Sequence, residues 1–192
     1  GLKFHDGEPV HAADCVASIR RWATRDPAGQ VLLARIDELA APDERTILLR
    51  LSRPFPLLFL ALAKPAAPVC FIMPERLAET DPSRPVAEII GSGPFRFLPG
   101  ERVPGRLVAY ERFADYVPRP EGVPTWTAGP KRALLDRVEW HVKPDAALAG
   151  EALAAGDVDW WENPPAGQQA ALRRDRNIVM EIPDPTGLMP MA

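Results

Sequence analysis

The chain has few of the residues that mark metal sites and disulfide frameworks: 192 residues include two cysteines and three histidines. Neither Cys15 nor Cys70 belongs to a CxxC pair, and this spacing excludes zinc-ribbon and thioredoxin-like sites. We expect inert thiols in apolar surroundings, with Cys15 on the apolar face of a helix and Cys70 in a strand. The sequence gives no support for a disulfide between them.

Long apolar runs and an excess of one charge are also missing. The stretch FPLLFLALA (55–63) is far shorter than the ~20 residues of a membrane span, and its flanking prolines favour a buried helix. A net charge of −3 and a pI near 5.7 give no reason to expect nucleic acid as a partner. No basic segment precedes an apolar one, so we expect no signal peptide within these residues.

Proline is abundant, with 23 residues spread between periodic segments. This distribution indicates a folded, loop-rich protein rather than a disordered tract. The apolar content of 46% and the charged content of 26% are typical of a soluble globular protein. The chain begins without Met, inside an apparent strand, and we expect it to be a piece of a longer protein.

The opening stretch, GLKFHDGEPVHAADCVASIRRW, places two histidines among acidic residues. Asp6-Gly7 between short apolar segments predicts a tight turn, because glycine accepts a positive φ. A helix follows, with His11 at its N-cap or at the neighbouring position and Asp14 in its first turn. Its apolar residues lie on one stripe: Ala12, Cys15, Val16, Ile19, Trp22 and Ala23.

A metal-dependent hydrolase is an alternative for this stretch. It would use His5, Asp6 and His11, which the turn and the helix cap would have to bring together. No H-E-x-x-H or similar spacing supports such a site. The turn and the cap explain the same residues without a metal.

The rest of the chain alternates between predicted strands and helices. IDELAAPDERTILLRLS predicts a hairpin, PVCFIM a strand, PERLAET a short helix, and the segments on either side of Gly100 a strand pair. A long loop is expected over 114–131, followed by a strand at LLDRVEWHV. The final segments predict helix, strand, helix and strand, with the strands at DVDWWEN and NIVMEIP, and therefore βαβ units on a partly parallel sheet.

Two short motifs suggest chemistry without establishing it. In GSGPFR, Arg96 replaces the third glycine of a dinucleotide fingerprint, and a strand follows instead of a helix. In DVDWWEN, the tryptophan at 161 replaces a calcium ligand. We predict that Trp161, Glu162 and Asn163 lie at the carboxyl end of a strand and form an aromatic and polar ligand surface. Ordinary packing is the alternative, and which of Trp160 and Trp161 faces a cleft stays open.

Four stretches together resemble the family 5 extracellular solute-binding proteins, which serve ABC importers of peptides, opines and nickel. The opening stretch is similar to the family signature FHDG-x-P-x-T-A-x-D-V, with His11 where Thr usually caps the helix. IIGSGPFRFL is similar to the G-T-G-P-Y/F element. AYERFADYVP and ALAAGDVDWWENPP resemble two further family segments, in family order and spacing.

The resemblance implies an α/β fold of the periplasmic-binding-protein-like II class, here partial, as one lobe with its inserted subdomain and with mixed sheets. Residues 1–88 would be the small subdomain inserted in the first lobe. Residues 89–192 would be the central part of that lobe's main sheet, and the second lobe would be absent from the chain. Ligand would be enclosed between lobes by hinge motion.

The resemblance also implies a role. The chain would be part of a periplasmic, monomeric, non-enzymatic receptor without a cofactor, which delivers a small peptide or a similar amine-bearing solute to an ABC permease in the inner membrane. Ligand contacts would come from Gln30 and from the Lys64–Pro68 stretch with Ala67. The metal-chelate binders carry an Arg near Ala67, and its absence argues against nickel. A cytoplasmic sensor domain of a transcription regulator is the alternative with the same fold.

Overall fold

The computed structural model describes residues 1–64, 67–124 and 128–181. These residues form two compact units. The first contains Gly1–Phe97 and Tyr110–Arg137, and the second contains Leu98–Ala109 and the described part of Val138–Met189.

The first unit is organised around helix α1, Ala12–Arg25. The helix begins where the sequence predicts, and its apolar side is buried as expected. Its N-cap is His11, whose backbone N–H donates to the Asp14 carboxylate over 2.8 Å. The other oxygen of that carboxylate accepts from the N–H of Glu75 over 2.7 Å. One buried acid therefore satisfies the first turns of two helices, α1 and α4 (Glu75–Ala78).

The predicted apolar stripe of α1 is confirmed as the centre of the core. Val16 and Ile19 pack with Leu39 of strand β1, while Trp22 and Ala23 pack with Leu32 and Ala61. Strands β1 (Ile36–Asp43) and β2 (Thr46–Leu51) form the predicted antiparallel hairpin, with Leu39 opposite Leu49. Helix α2, Pro27–Leu33, connects α1 to this hairpin.

Two predictions for the first unit are wrong. Helix α3 covers only Leu58–Leu62, and although Ala61 is buried, Phe59 and Leu60 are 80% and 67% exposed. So short a helix can turn only a narrow face toward the core. Residues 68–73 do not form the predicted strand. The N–H of Phe71 donates to the carbonyl of Val69, and the Ser18 hydroxyl donates to the carbonyl of Met73 and accepts from its N–H.

The predicted strand pair around Gly100 is confirmed. Strand β3, Phe95–Phe97, runs antiparallel to β4, Leu107–Arg112, with Phe97 opposite Tyr110. Strand β5, Arg137–His141, lies where LLDRVEWHV predicts it, and the sheet order is β3-β4-β5. Residues 114–124 and 128–131 contain no helix or strand, as expected for the long loop.

The second unit contains helices α5, Ala146–Ala155, and α6, Ala166–Leu172. Gly156 ends α5 with a φ of 77°, as its position predicts. The strand predicted at DVDWWEN is not formed, and no strand occurs over 177–181; residues 182 and 183 lie outside the described chain. The predicted βαβ units are therefore not seen in the described residues. Asn163 takes a φ of 55°, in the left-handed region, directly before Pro164.

Among the residues that the structure describes, no helix combines the length and apolar character needed to cross a membrane.

We predict that Gly29→Ala destabilises the protein. A Cβ atom at this position of α2 would lie 2.6 Å from the Cα of Ala23, and backbone atoms would have to move. The expected cost is roughly 1–3 kcal/mol, measured by chemical unfolding. Gly167→Ala in α6 is the control, because a Cβ there meets no atom within 4 Å and alanine favours a helix. Equal stability of wild type and Gly29→Ala would show that α1 and α2 are not in close contact.

Candidate functional site

The opening turn is joined to the GSGPF motif by the imidazole of His5. The N–H of Gly91 donates to Nδ1 over 3.3 Å, so the ring proton lies on Nε2, which is 3.0 Å from the carbonyl oxygen of Gly93. The ring also meets Phe113 edge-on, with centroids 5.1 Å apart. His5 therefore connects two segments that lie some 88 residues apart in sequence.

The three residues of the hydrolase alternative do not form a site. Both ring nitrogens of His5 are hydrogen-bonded, the Asp6 carboxylate is paired with Arg76 at 3.1 Å, and His11 caps α1. Over the described ranges, no three His, Cys, Asp or Glu side chains are grouped so that they could hold a metal ion. The turn and the cap account for these residues.

A shallow concavity of about 510 Å³ lies beside the opening turn, lined in part by His5, Asp6 and Phe113. The charged groups in its wall are paired with opposite charges. The pairs are Arg96–Glu111 at 2.5 Å, Arg112–Asp136 at 2.6 Å, Lys3–Asp115 at 2.8 Å and Asp6–Arg76 at 3.1 Å. Its charges are therefore engaged within the protein.

The predicted ligand residue Gln30 lies on α2, where its side chain is exposed. Its Nε2 donates to the carbonyl of Thr24 over 3.1 Å. The helix that carries it is capped by Asp26, whose fully buried carboxylate accepts from the N–H of Gly29 over 2.9 Å. The same carboxylate forms an ion pair with the ammonium of Lys64.

The charge state of Asp26 follows from these contacts. Burial alone would raise the pKa of its carboxyl, but the hydrogen bonds from Lys64 and Gly29 outweigh burial and hold that pKa below its ordinary value. The carboxylate is therefore ionised at neutral pH and bonded on two sides. The Asp26-Pro27 dipeptide is an N-cap signature that could have revealed its capping role in the sequence.

The predicted ligand residue Ala67 is also exposed and precedes Pro68 in a cis peptide. The carbonyl of Pro68 accepts a hydrogen bond from the indole Nε1 of Trp22 over 3.0 Å. Gln30 and Ala67 are thus both attached to the stretch Trp22–Asp26, where α1 ends and α2 begins. The sequence did not indicate the roles of Trp22 and Lys64.

The three predicted residues of the second unit follow α5. Trp161 is partly buried, and a Cβ atom added to Gly150 of α5 would lie 3.6 Å from its ring. Glu162 and Asn163 are exposed, and Trp160 is 71% exposed. The two tryptophans therefore differ as expected, and Trp161 is the one that packs.

Both cysteines are free thiols in the first unit and are partly buried. Burial raises the pKa of both thiols, that of Cys70 to about 11. Few thiolate anions form at neutral pH, and the predicted inert character of both cysteines agrees with this environment.

We predict that Asp26 stabilises the protein at neutral pH but not in strong acid. Because its pKa is lower in the folded than in the unfolded chain, where it is about 3.9, the stabilisation is complete above that value and is lost as the pH falls through the folded pKa. Asp26→Asn should cost roughly 1–3 kcal/mol at pH 7 and much less at pH 2, by chemical unfolding.

The control for this measurement is Asp145→Asn at the N-cap of α5, where the carboxylate is exposed to solvent. Its cost should be smaller than that of Asp26→Asn at pH 7. An Asp26→Asn cost that does not change with pH would contradict the role assigned to the charge.

Comparison with known proteins gives a consistent result. The family model for bacterial extracellular solute-binding proteins, family 5 Middle, matches residues 1–191. The probable peptide ABC transporter periplasmic-binding protein y4tO of Sinorhizobium fredii is 39% identical over 192 residues, which cover 98% of this chain and 35% of that protein. The chain thus spans about a third of the length of this relative.

Solved structures show the same fold. The binding protein AgaA of A. tumefaciens R10, in complex with agropinic acid, matches with a TM-score of 0.67 and 31% identity over 91% of this chain and 33% of that one. The oligopeptide-binding protein AppA of Bacillus subtilis, in complex with a nonapeptide, matches with a TM-score of 0.58 and 26% identity over 82% and 30%. The predicted family and α/β fold class are confirmed: the chain belongs to the family 5 bacterial extracellular solute-binding proteins.

Proposed function

We propose that this chain is part of the substrate-binding component of an ABC importer for peptides or related amine-bearing solutes. The observation that carries the proposal is the family match over residues 1–191. Two of the similar proteins, y4tO, a probable peptide transporter component, and AppA, bound to a nonapeptide, support peptides as the solute class.

The remaining parts of the proposal follow from the same family. The protein acts in the periplasm as a monomer, without catalysis, and passes its solute to a permease in the inner membrane. Residues 1–88 correspond to the inserted subdomain, and residues 89–192 to the central part of the first lobe. Ligand is enclosed by hinge closure, which is favoured because the closed state binds ligand more tightly than the open state.

Two patches, one in each unit, are proposed to contact the ligand. In the first unit, the exposed amide of Gln30 offers a donor and an acceptor that suit a peptide group, and the small side chain of Ala67 leaves its backbone accessible. In the second unit, the exposed carboxylate of Glu162 suits an ammonium group. Trp161 and Asn163 provide an apolar wall and an amide beside it.

Binding of peptides is tested by thermal unfolding of the complete protein with di-, tri- and penta-alanine. A ligand at 100 times its dissociation constant stabilises the folded state by about 2.7 kcal/mol, so at least one peptide should raise the melting temperature by several degrees. Agropinic acid serves as the comparison solute, because AgaA binds it. The peptide assignment would be overturned if agropinic acid alone raised the melting temperature, or if none of these solutes raised it.

The second patch is tested by substituting Glu162. Glu162→Gln removes the negative charge and should weaken the binding of the stabilising alanine peptide by about tenfold. Because this side chain is exposed, the melting temperature of the free protein should not change. Trp161→Ala should weaken binding too, with some loss of stability because the ring packs on α5. If Trp161→Ala lowers the melting temperature and neither variant changes the affinity, this patch does not contact the ligand.

A further inference from the structure

We infer that the stretch Trp22–Asp26 is a common anchor that sets the positions of Gln30 and Ala67, with Trp22, Asp26 and Lys64 as positioning residues of the first ligand patch. This inference rests on the proposed function, because the ligand contacts of Gln30 and Ala67 belong to that proposal. Gln30 and Ala67 are more than thirty residues apart in sequence. The anchor would hold both segments through contacts to the same short stretch of chain.

The anchor holds Gln30 through Asp26. The carbonyl oxygen of Asp26 accepts from the N–H of Gln30 over 2.8 Å, and its carboxylate accepts from the N–H of Gly29 over 2.9 Å. These two bonds fix the first turn of α2. Because Gln30 lies in that turn, the position of its side chain follows from the position of Asp26.

The anchor holds Ala67 from both sides. Lys64, three residues before Ala67, forms an ion pair with the fully buried carboxylate of Asp26. Pro68, the residue after Ala67, accepts the indole N–H of Trp22 over 3.0 Å. Residues 65 and 66 lie outside the described chain, and the two attachment points are Lys64 and Pro68.

The two attachment points cannot move independently of each other. The N–H of Asp26 donates to the carbonyl of Trp22 over 3.0 Å, in the last turn of α1. Gly29 lies against Ala23 and against the ring of Trp22, so closely that a Cβ would not fit. Trp22 itself is 6% exposed. The anchor is therefore a packed element with few alternative arrangements.

The Lys64 contact couples the two segments because a buried charge requires its partner. If Lys64 is removed, the buried Asp26 carboxylate keeps the backbone N–H donors of Gly29 and Ala28 but loses its counter-charge. The cap of α2 and the segment near Ala67 should then both loosen. If the Lys64 contact stabilised only the segment near Ala67, removing Lys64 would not change the stability of α2.

The first experiment measures amide hydrogen exchange of the ligand-free complete protein, for residues 27–34 and 67–73. Lys64→Met should accelerate exchange in both segments by about tenfold or more, because local opening exposes the amides. The control is Arg50→Met, which removes the exposed ion pair of Arg50 with Glu38 in the same unit. Acceleration in only one segment, or in neither, overturns the common anchor.

The second experiment measures affinity for the alanine peptide that stabilises wild type most, well below the melting temperature. Lys64→Met should weaken binding about tenfold, Lys64→Arg should restore most of it, and Arg50→Met should have no effect. A Lys64→Met protein with faster exchange but unchanged affinity would show that the anchor is structural and does not position a ligand patch, which overturns the inference.

Failure of the proposed function gives a different result. If no alanine peptide binds wild type, the peptide assignment is wrong, while the exchange data still decide whether the anchor exists. If Lys64→Met does not fold, Asp26→Asn is the second variant, because its amide oxygen can still accept from Gly29 but carries no charge. It should also accelerate exchange in both segments, and the absence of that effect overturns the anchor.

Discussion

The requirement to cover the apolar face of α1 determines most of the first unit. A helix of 14 residues with buried side chains from Ala12 to Ala23 needs neighbours along its whole length. The β1–β2 hairpin covers Val16 and Ile19, and α2 with α3 covers Trp22 and Ala23. The free energy of this burial, of order 1.5–3 kcal/mol for each large side chain, allows the neighbouring elements to be short.

Buried polar groups decide how those neighbours are arranged. Apolar contact is not directional, whereas Ser18, Asp14 and Asp26 each require partners in a defined geometry. Ser18 fixes the backbone at Met73, Asp14 fixes the start of α4, and Asp26 fixes α2 and Lys64. The apolar stripe therefore explains why the unit is stable, and these polar groups explain why it has one arrangement.

Local signals in the sequence predicted the elements that depend on local interactions. The stripe of α1, the turn of the hairpin between Asp43 and Thr46 and the stop of α5 at Gly156 all act within a few residues. The strands expected at 157–163 and 177–181 are not formed in the described residues, because a strand needs a partner that its own residues do not specify. In the segment 157–161, the ring of Trp161 packs on α5 instead of taking a place in a sheet.

Gln30 and Ala67 were predicted as ligand residues from the family resemblance. The contacts of Lys64 and Trp22 that hold their segments were not predicted. Nothing local distinguishes Lys64 from a surface lysine, since its partner lies 38 residues away and becomes buried only when α1 and α2 meet. Likewise, the indole N–H of Trp22 finds its acceptor 46 residues away. Such contacts follow from the tertiary structure, and a single sequence gives no signal for them.

The Asp14 carboxylate has a consequence for the cooperativity of folding. Its two oxygens serve two helices, and an amide side chain has only one acceptor oxygen, so asparagine could not satisfy both. The four-residue helix α4 is too short to persist alone in water. It therefore exists only while α1 is formed, and opening of α4 would in turn release half of the bonding at Asp14. The two helices thus belong to one cooperative unit, although 49 residues (26–74) lie between them in the chain.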